Sequence, residues 1–305
     1  MNAYLLFAQL VLAILLHIAS TQTPVPASSA KPLDAGAFAY DAAMPLDEKT
    51  ISLHTDGRVR VREISFASPV RGTIHAELVE PTESKGRKGA VLFVHWLGDD
   101  PTTTNLHEFY PDAVYLARQG CVSLLIDAMW AQPHWYDKVR SPKTDYADSI
   151  HQVIDLRRSL DLLVRQPGVD PRRIAYVGHD FGAMYGAVLS GIDVRPRWYV
   201  LMAGNPSFSG WFLFFPKGQQ PEDMATYLGQ LSQLDPPLYL AKSHAEEFLF
   251  QFSSKDFYIP MDRARAFANA APLPRGVFFY DSDHSLNVPA VFTDRIAWLR
   301  QRLTP

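Results

Sequence analysis

The residues best suited to chemistry lie in the segment Gly178–Gly182, whose sequence is GHDFG. An apolar run, Ile174–Val177, precedes this segment, and a stretch of helix-forming residues, Ala183–Ala187, follows it. This order predicts a strand, a tight turn and a helix, with two glycines flanking a strained turn that lifts the central side chain above the sheet. That side chain is Asp180, and the backbone amide of Phe181 is expected to point into the same space at the positive end of the helix.

An aspartate at this position differs chemically from a serine or a cysteine. A serine needs a base to remove its proton, whereas the ionised carboxylate of Asp180 is already nucleophilic and can attack directly. Attack on an ester or amide carbonyl would produce a high-energy anhydride, whereas attack on an sp3 carbon produces an ordinary ester. The aspartate therefore favours a substrate with an electrophilic sp3 carbon.

The elements that must position this turn follow from the apolar pattern beyond Pro81. Short, continuous apolar runs predict buried parallel strands at Ala90–His95, Cys121–Asp127, Ile174–Val177, Trp198–Met202, Phe248–Phe252 and Gly276–Tyr280. Helices are predicted between and after them at Leu106–Gln119, Tyr146–Gln166, Phe181–Ser190, Met261–Ala271 and Pro289–Arg302. Strand and helix in alternation predict an α/β fold with a doubly wound sheet, whose active site lies at the carboxyl ends of the strands.

The chain before Pro81 shows a different pattern. Residues Val59–Phe66 and Thr73–Glu80 largely alternate apolar with polar side chains, which predicts an antiparallel pair joined by a turn around Pro69–Gly72. The alternation slips once, at residues 62–63, where a bulge would fit. We therefore predict a mostly parallel sheet with antiparallel strands at its N-terminal side.

The segment Ala203–Ala245 interrupts the regular alternation of strands and helices. Two interpretations remain open: a small lid over the site, or a surface excursion packed by its own aromatic residues. The side chains that favour either role are Trp211, Phe212, Phe214, Phe215, Pro216, Met224 and Tyr227.

The N-terminal segment has the features of a signal peptide. Residues Leu5–Ile18 are almost entirely apolar, a run shorter than the roughly 20 residues of a membrane-spanning helix. Small residues that suit cleavage follow this run, but no Lys or Arg precedes Lys31, which leaves an uncleaved anchor or a misread start codon open as alternatives. We predict a signal peptide at 1–30, a linker or N-terminal arm at 31–50 and a folded domain at 51–305. The mature protein would then be periplasmic or secreted, without a stable membrane insertion.

Composition excludes several classes of function. The net charge of −3 gives no basic field for nucleic acid, because phosphate binding needs clustered Lys and Arg. Cys121 is the single cysteine, so no intramolecular disulfide can form, and its apolar surroundings favour a buried structural thiol. The ten histidines show no metal-ligand spacing such as HExxH. We expect a small-molecule substrate and neither a cofactor nor a metal, and the sequence does not indicate the oligomeric state.

The strand, GHDFG turn and helix together resemble the α/β-hydrolase superfamily, from about residue 60 to the C-terminus. Three features resemble its dienelactone-hydrolase-like branch: the Val94–Gly98 turn (VHWLG), the short excursion after residue 203, and the Leu234–Pro237 stretch before the strand at Phe248.

The resemblance implies a triad in the order nucleophile, acid, histidine. An acid is expected after the penultimate strand, where Asp256 lies, and a histidine after the last strand, where His284 lies. Asp281 and Asp283 are rival acids, but they belong to the histidine's own loop. Each residue also has a structural alternative: Asp256 could cap the helix that follows it, and His284 could be a loop histidine bonded to a neighbouring aspartate.

The GHD-x-G pattern resembles epoxide hydrolases and haloalkane or haloacid dehalogenases, which work through an alkyl ester on the aspartate. The resemblance implies that Asp180 opens an epoxide or displaces a halide, and that His284, oriented by Asp256, activates the water that hydrolyses the ester. The backbone amides of Phe181 and of Trp96 or Leu97 would hold the oxyanion.

The chain departs from those enzymes in two ways. Residue 181 is phenylalanine where they usually carry a tryptophan or another halide-binding group, and the insertion is small where they carry a large helical cap. Candidates for the missing leaving-group contacts are Trp96, Trp211, Tyr227 and Tyr239. We expect the substrate pocket to be lined by His95, Trp211 and Tyr227.

Three functions stay open on the sequence. The first is a hydrolase with a covalent intermediate on Asp180. The second is a dienelactone-hydrolase-like ester or lactone hydrolase in which Asp180 acts as a general base toward water. The third is a ligand-binding homologue without a competent nucleophile. Since a fold alone does not decide function, the geometry of the site must separate them.

Overall fold

One mixed sheet forms the centre of the protein. The computed structural model describes residues 30–83, 86–98, 100, 102–212, 215 and 219–304. Within these residues the strands are β1 (Lys49–Asp56), β2 (Val59–Ser68), β3 (Gly72–Pro81), β4 (Lys88–Val94), β5 (Val122–Ile126), β6 (Val169–His179), β7 (Pro196–Met202), β8 (Glu247–Ser253) and β9 (Arg275–Tyr280). Their order in the sheet is β1-β2-β3-β5-β4-β6-β7-β8-β9.

The antiparallel part of the sheet contains the predicted hairpin. Strands β2 and β3 pair in continuous register from Val59 opposite Pro81 to Ser68 opposite Gly72. The bulge expected at residues 62–63 is absent from this pair. It lies instead on β1, which the sequence did not predict, where Ile51 is the extra residue between Thr50 and Ser52. The side chains of β1 are all exposed, so this edge strand has no apolar pattern that would have revealed it.

The parallel part of the sheet contains all six predicted strands, and five of them are largely buried, whereas β9 is a half-buried edge strand with Phe278 exposed. Strands β4 to β9 pair in parallel with their neighbours, and β5 joins them to the antiparallel β3. Every residue of β5, and nearly every residue of β4, is buried. Because successive side chains of a strand point to opposite faces, both faces of the sheet are covered.

Helices cover the two faces as a doubly wound sheet requires. Those described are α1 (Asn105–Glu108), α2 (Tyr110–Arg118), α3 (Asp145–Val164), α4 (Phe181–Ser190), α5 (Phe208–Trp211), α6 (Met224–Ser232), α7 (Pro236–Leu240), α8 (Met261–Asn269) and α9 (Pro289–Leu303). Helix α2 contacts α9, while α4 contacts α3 and α7. The helix predicted at Leu106–Gln119 is divided at Phe109 into α1 and α2.

Residues 31–48 form an arm that packs against α3. Phe38 is fully buried, and Arg157 donates to its carbonyl oxygen at 2.6 Å. Arg158, itself fully buried, donates to the carbonyl oxygens of Met44 and Pro45. The segment is therefore an arm fixed by hydrogen bonds and not a free linker. Almost all of the predicted signal peptide, residues 1–29, lies outside the described residues, and export stays a prediction. No described helix has the length and apolar content to cross a membrane.

The excursion after β7 combines both roles that the sequence left open. Its aromatic residues Phe208, Phe212 and Tyr227 are buried, so the segment is packed by its own side chains. Trp211, between two of them in the chain, lies beside His284 with ring centroids 6.2 Å apart. Phe214 and Pro216 of this segment lie outside the described residues. The excursion therefore covers one side of the site through Trp211.

Candidate active site

The turn between β6 and α4 places Asp180 at the carboxyl edge of the sheet. Its backbone has φ 54° and ψ −115°, a conformation that L residues rarely adopt. The Asp180 amide donates to the carbonyl oxygen of Met202 on the neighbouring strand at 2.9 Å. A Cβ atom at Gly182 would collide with the carbonyl oxygen of Val94, and one at Gly178 would collide with that of Gly182. The glycines thus allow the close approach of helix and strand that fixes the turn.

The two carboxylate oxygens of Asp180 lie in different environments. Oδ2 accepts a hydrogen bond from the backbone amide of Leu97 at 3.2 Å. Oδ1 is buried without a hydrogen-bond partner among the described residues, and it lies 3.9 Å from Nε2 of His284. One oxygen is therefore held, while the other faces the histidine and is available to a substrate.

His284 is oriented by Asp256. The distance between Nδ1 of His284 and Oδ2 of Asp256 is 2.7 Å, and both side chains are at least nine-tenths buried. Oδ1 of Asp256 accepts from the amides of Tyr258 and Ile259 at 2.8 and 3.0 Å. Because Nδ1 bonds the carboxylate, Nε2 is left facing Asp180. This is the geometry of a histidine positioned to take a proton from water.

The rival interpretations of these residues do not fit the structure. Asp281 pairs with Lys255 on the surface, and Asp283 accepts from the amide of Ser285 at 3.0 Å. The helix after Asp256 begins at Met261 without a side-chain cap. Asp256, and neither of the two loop aspartates, is therefore the carboxylate that contacts the histidine ring.

Burial and charge act against each other on the ionisation of Asp180. Burial raises the pKa of the Asp180 carboxyl above its ordinary value, although nearby His284 and His179 and the amides of Leu97 and Phe181 lower it in part. For His284, burial alone would lower the pKa, but the hydrogen bond that the ring donates to Asp256 and the charges of Asp180 and Asp256 outweigh it and raise the pKa. The neutral, proton-accepting form of His284 is consequently favoured only at a pH above this raised pKa.

The structure distinguishes the two predicted oxyanion donors. The Leu97 amide points at Asp180, as does that of Phe181. The Trp96 amide instead donates to Oε2 of Glu108 at 2.7 Å, so the prediction that it faces the oxyanion is wrong. The Trp96 indole N–H donates to the carbonyl oxygen of Thr103 at 2.8 Å and is also occupied.

His95 does not line the site as expected. It is 1% exposed, and its ring nitrogens lie 2.8 Å from the Trp96 carbonyl oxygen and 3.1 Å from the Ala128 amide. Burial lowers the pKa of His95 to about 4, so the ring is neutral. It packs on Trp130 and fixes the loop that follows β4.

The predicted tyrosines are also engaged inside the fold. The Tyr227 hydroxyl donates to Oδ2 of Asp145 at 2.7 Å. The Tyr239 hydroxyl donates to the Gln233 carbonyl oxygen and accepts from the Leu33 amide. Neither hydroxyl is directed at Asp180, because each is bonded elsewhere. Trp211 is the predicted pocket residue that does reach the site, with its ring 6.2 Å from His284.

An aromatic wall surrounds the turn. The Phe181 ring contacts several aromatic rings with centroids between 5.3 and 6.5 Å apart, namely Trp130, Trp135, Tyr136, Tyr185, Trp211 and Phe212. Two of these residues, Trp135 and Tyr136, lie on a single π-helical turn, Trp135–Val139, that the sequence analysis missed. The surroundings of Asp180 on this side are therefore apolar.

A cavity of about 470 Å³ adjoins the other side of the site. Trp96 and Glu108 line it together with residues 285–288, which follow His284. Its volume falls in the range of small-molecule sites. Among the described residues, no group of three or more His, Cys, Asp or Glu is arranged to hold a metal ion.

Sequence comparisons identify a distant relative. No protein-family model matches the chain. A polyketide transferase, ATR5 of Stachybotrys chlorohalonatus (strain IBT 40285), is 30% identical over 130 residues, which cover 42% of this chain and 41% of the transferase. The match thus spans about two fifths of that relative's length.

Solved structures share the fold over most of the chain. An acetyl xylan esterase from Thermoanaerobacterium sp. JW/SL YS485 superposes with a TM-score of 0.71 at 15% identity, covering 92% of this chain and 99% of that one. One from Paenibacillus sp. R4 gives 0.69 at 17% identity, covering 88% and 92%. A Klebsiella pneumoniae protein assigned to the dienelactone hydrolases gives 0.56 at 17% identity, covering 80% and 100%. The chain therefore has the α/β-hydrolase fold predicted from its sequence.

Proposed function

We propose that the protein is a hydrolase that attacks an electrophilic sp3 carbon with Asp180 and forms a covalent alkyl ester. The observation that carries the proposal is the unequal environment of the two carboxylate oxygens. Oδ2 is held by the Leu97 amide, while the unpartnered Oδ1 faces His284. A carboxylate held in this way is already oriented for attack. Because it is ionised, it attacks without first losing a proton.

In the first step, Oδ1 of Asp180 attacks the substrate carbon. The new bond joins Oδ1 to carbon, and the bond to the leaving group breaks with its electron pair. A halide leaves as the anion, whereas an epoxide oxygen becomes an alkoxide that takes a proton from solvent. Oδ2 stays on the Leu97 amide throughout, so the site needs little reorganisation.

In the second step, His284 activates a water molecule. Nε2 takes a proton as the water oxygen bonds to Cγ of Asp180, and the negative charge develops on Oδ2. The Leu97 amide already donates to Oδ2 and stabilises this oxyanion, and the Phe181 amide lowers the pKa of the same carboxyl. Collapse expels the product alkoxide, which carries the former Oδ1 and takes the proton back from His284. The carboxylic acid left on Asp180 then loses the second proton of the water to solvent, which regenerates the carboxylate.

The same geometry weighs against an ester substrate with Asp180 as a general base. An ester carbonyl oxygen would need the Leu97 amide, and Asp180 itself occupies it. The third possibility, a ligand-binding homologue, does not explain the aligned Asp256 and His284. The aromatic wall around Phe181 favours a small substrate with an apolar body.

An isotope experiment tests the proposal. A single turnover of an epoxide or alkyl halide with excess enzyme in ¹⁸O-water should give an unlabelled hydroxyl in the product, because its oxygen comes from Asp180. The peptide that contains Asp180 should gain one ¹⁸O. Label in the product from an ester substrate, with an unlabelled enzyme, would support general-base catalysis instead.

A trapping experiment complements it. His284→Gln should accumulate the alkyl ester, visible as added mass on the Asp180 peptide, because the water is no longer activated. His54→Gln is the matched control, since His54 lies on the exposed edge strand β1. No adduct in His284→Gln across epoxides and halides, together with an unlabelled Asp180 in the parent, would refute the covalent mechanism.

A further inference from the structure

A second buried histidine lies directly before Asp180. The ring of His179 is fully buried, and its Nε2 lies 3.0 Å from the carbonyl oxygen of His284. Its Nδ1 lies 2.6 Å from Oε1 of Glu108, and the other oxygen of Glu108 accepts from the Trp96 amide at 2.7 Å. Three hydrogen bonds therefore connect the Trp96 amide, in the loop after β4, with the carbonyl oxygen of His284.

The partners of His179 determine where its protons lie. A carbonyl oxygen can only accept, so Nε2 carries a proton and donates it to the His284 backbone. Nδ1 and Glu108 then share one further proton, as an imidazolium–carboxylate pair or as a neutral ring and a carboxylic acid. In both forms Oε2 of Glu108 can still accept from the Trp96 amide, so the chain of hydrogen bonds is complete.

The rings around this pair are in direct contact. The Trp96 indole stacks on the His179 ring, with centroids 5.4 Å apart and planes 10° apart. The His179 and His284 rings lie 5.7 Å apart. A displacement of His179 would therefore move the peptide before Leu97 and the backbone of His284 together.

We propose that Glu108 and His179 are positioning residues that hold the Leu97 amide and the His284 ring in register on opposite sides of the Asp180 carboxylate. The proposal rests on the proposed function, since those are the groups that hydrolyse the ester. Formation of the ester requires mainly Oδ1 of Asp180, whereas its hydrolysis requires the amide and the histidine at once. The pair should therefore act chiefly on the second step.

Variants of Glu108 and His179 that keep or remove these hydrogen bonds separate a positioning role from a role of the Glu108 charge. In Glu108→Gln the side-chain oxygen can still accept from the Trp96 amide, and the side-chain nitrogen can donate to neutral Nδ1 of His179. In Glu108→Ala both bonds are lost. In His179→Asn the shorter side chain can approach Glu108 but cannot reach the His284 carbonyl. Matched controls are Glu222→Ala and His54→Asn, which replace an exposed glutamate and an exposed histidine.

The first measurement needs no substrate. In protein labelled with ¹⁵N in its histidine rings, NMR should show a protonated Nε2 on His179 with slow solvent exchange. Glu108→Ala and His179→Asn should shift or broaden the His284 ring resonances, while Glu108→Gln and both controls should not. Unchanged His284 resonances in both disruptive variants, with melting temperatures near the parent's, would overturn the proposal.

The second measurement follows the ester in single turnovers. Glu108→Ala and His179→Asn should slow ester hydrolysis by about 10²-fold, the cost of a small misplacement, and slow ester formation much less. Glu108→Gln should recover most of the loss. Equal impairment in Glu108→Gln and Glu108→Ala would overturn the proposal, because positioning does not need the charge. If no ester forms with any electrophile while the NMR pattern is as expected, the proposed function alone fails.

Discussion

The backbone amide of Leu97 donates to Oδ2 of Asp180 at 3.2 Å. In this fold, the loop amide and the amide after the nucleophile form the oxyanion hole. Here the Leu97 amide donates to an oxygen of the nucleophile itself, and it is in place before any substrate binds. The arrangement buries a carboxylate with one oxygen unpartnered among the described residues, which has consequences for stability and for chemistry.

Replacing Asp180 with asparagine should stabilise the fold. Burial raises the pKa of the Asp180 carboxyl, and His284, His179 and the two amides offset this only in part. A group with a raised folded-state pKa contributes stability at low pH that is lost as the pH rises through that pKa. We expect the melting temperature of Asp180→Asn to exceed the parent's by a few degrees at a pH above the raised pKa of Asp180, and by less at a pH below it.

Asp193→Asn is the control, because we expect it to change the stability in the opposite direction. Although its burial raises the pKa, the hydrogen bonds and charge of Arg195, with a hydrogen bond from Arg157, outweigh burial and lower it. Its contribution to stability is present above the unfolded-state pKa and is lost as the pH falls through the folded-state pKa. Asp193→Asn should lose about 1–3 kcal/mol at neutral pH. A loss of similar size in Asp180→Asn would contradict the prediction.

The pH dependence of ester hydrolysis should report the ionisation of His284. Since burial lowers its pKa but Asp256 and Asp180 raise it by more, the rate should rise with pH through a midpoint above the ordinary value of about 6.5. Asp256→Asn should move this midpoint to lower pH and reduce the plateau by about 10²–10⁴-fold, because the ring loses its orientation. Asp281→Asn, on the loop that carries His284, should change neither quantity. An unchanged midpoint in Asp256→Asn would contradict this account.

Local sequence pattern predicts the fold and the turn that carries Asp180, whereas the roles of Asp256 and His284 follow from the resemblance to the α/β-hydrolases. Asp180 lies in a glycine-flanked turn, and Asp256 and His284 follow strands that are recognisable by their apolar runs. Glu108 has no such signal, since it contacts His179 across 71 residues of sequence. Whether the Trp96 or the Leu97 amide donates to Asp180 depends on the orientation of one loop peptide. Glu108 fixes that orientation by accepting from the Trp96 amide.

Trp211 should limit the size of the substrate. Its ring lies 6.2 Å from His284 and 6.3 Å from both Phe181 and Tyr258, so it covers the space next to the reacting atoms. Trp211→Ala should raise kcat/KM for bulky electrophiles relative to small ones by about tenfold, a typical effect of one reshaped pocket contact. Trp298→Ala, on the outer helix α9, is the control. An unchanged preference in Trp211→Ala would exclude a role for this residue in substrate selection.

Gly182, the glycine that follows the Asp180 turn, should be sensitive to substitution. A methyl group at Gly182 would collide with the backbone carbonyl of Val94, which cannot move without shifting β4 and the Leu97 loop that follows it. Gly182→Ala should therefore destabilise the protein by about 1–3 kcal/mol and slow both formation and hydrolysis of the ester.

At Gly229, within α6, a methyl group meets nothing within 4 Å. Gly229→Ala should stabilise the protein by about 0.5–1 kcal/mol and leave activity unchanged, because alanine restricts the unfolded chain and suits the helix. Urea unfolding and single-turnover assays of the two variants test both predictions. A Gly182→Ala variant with the parent's stability and rates would contradict the close approach of helix and strand on which the geometry of Asp180 depends.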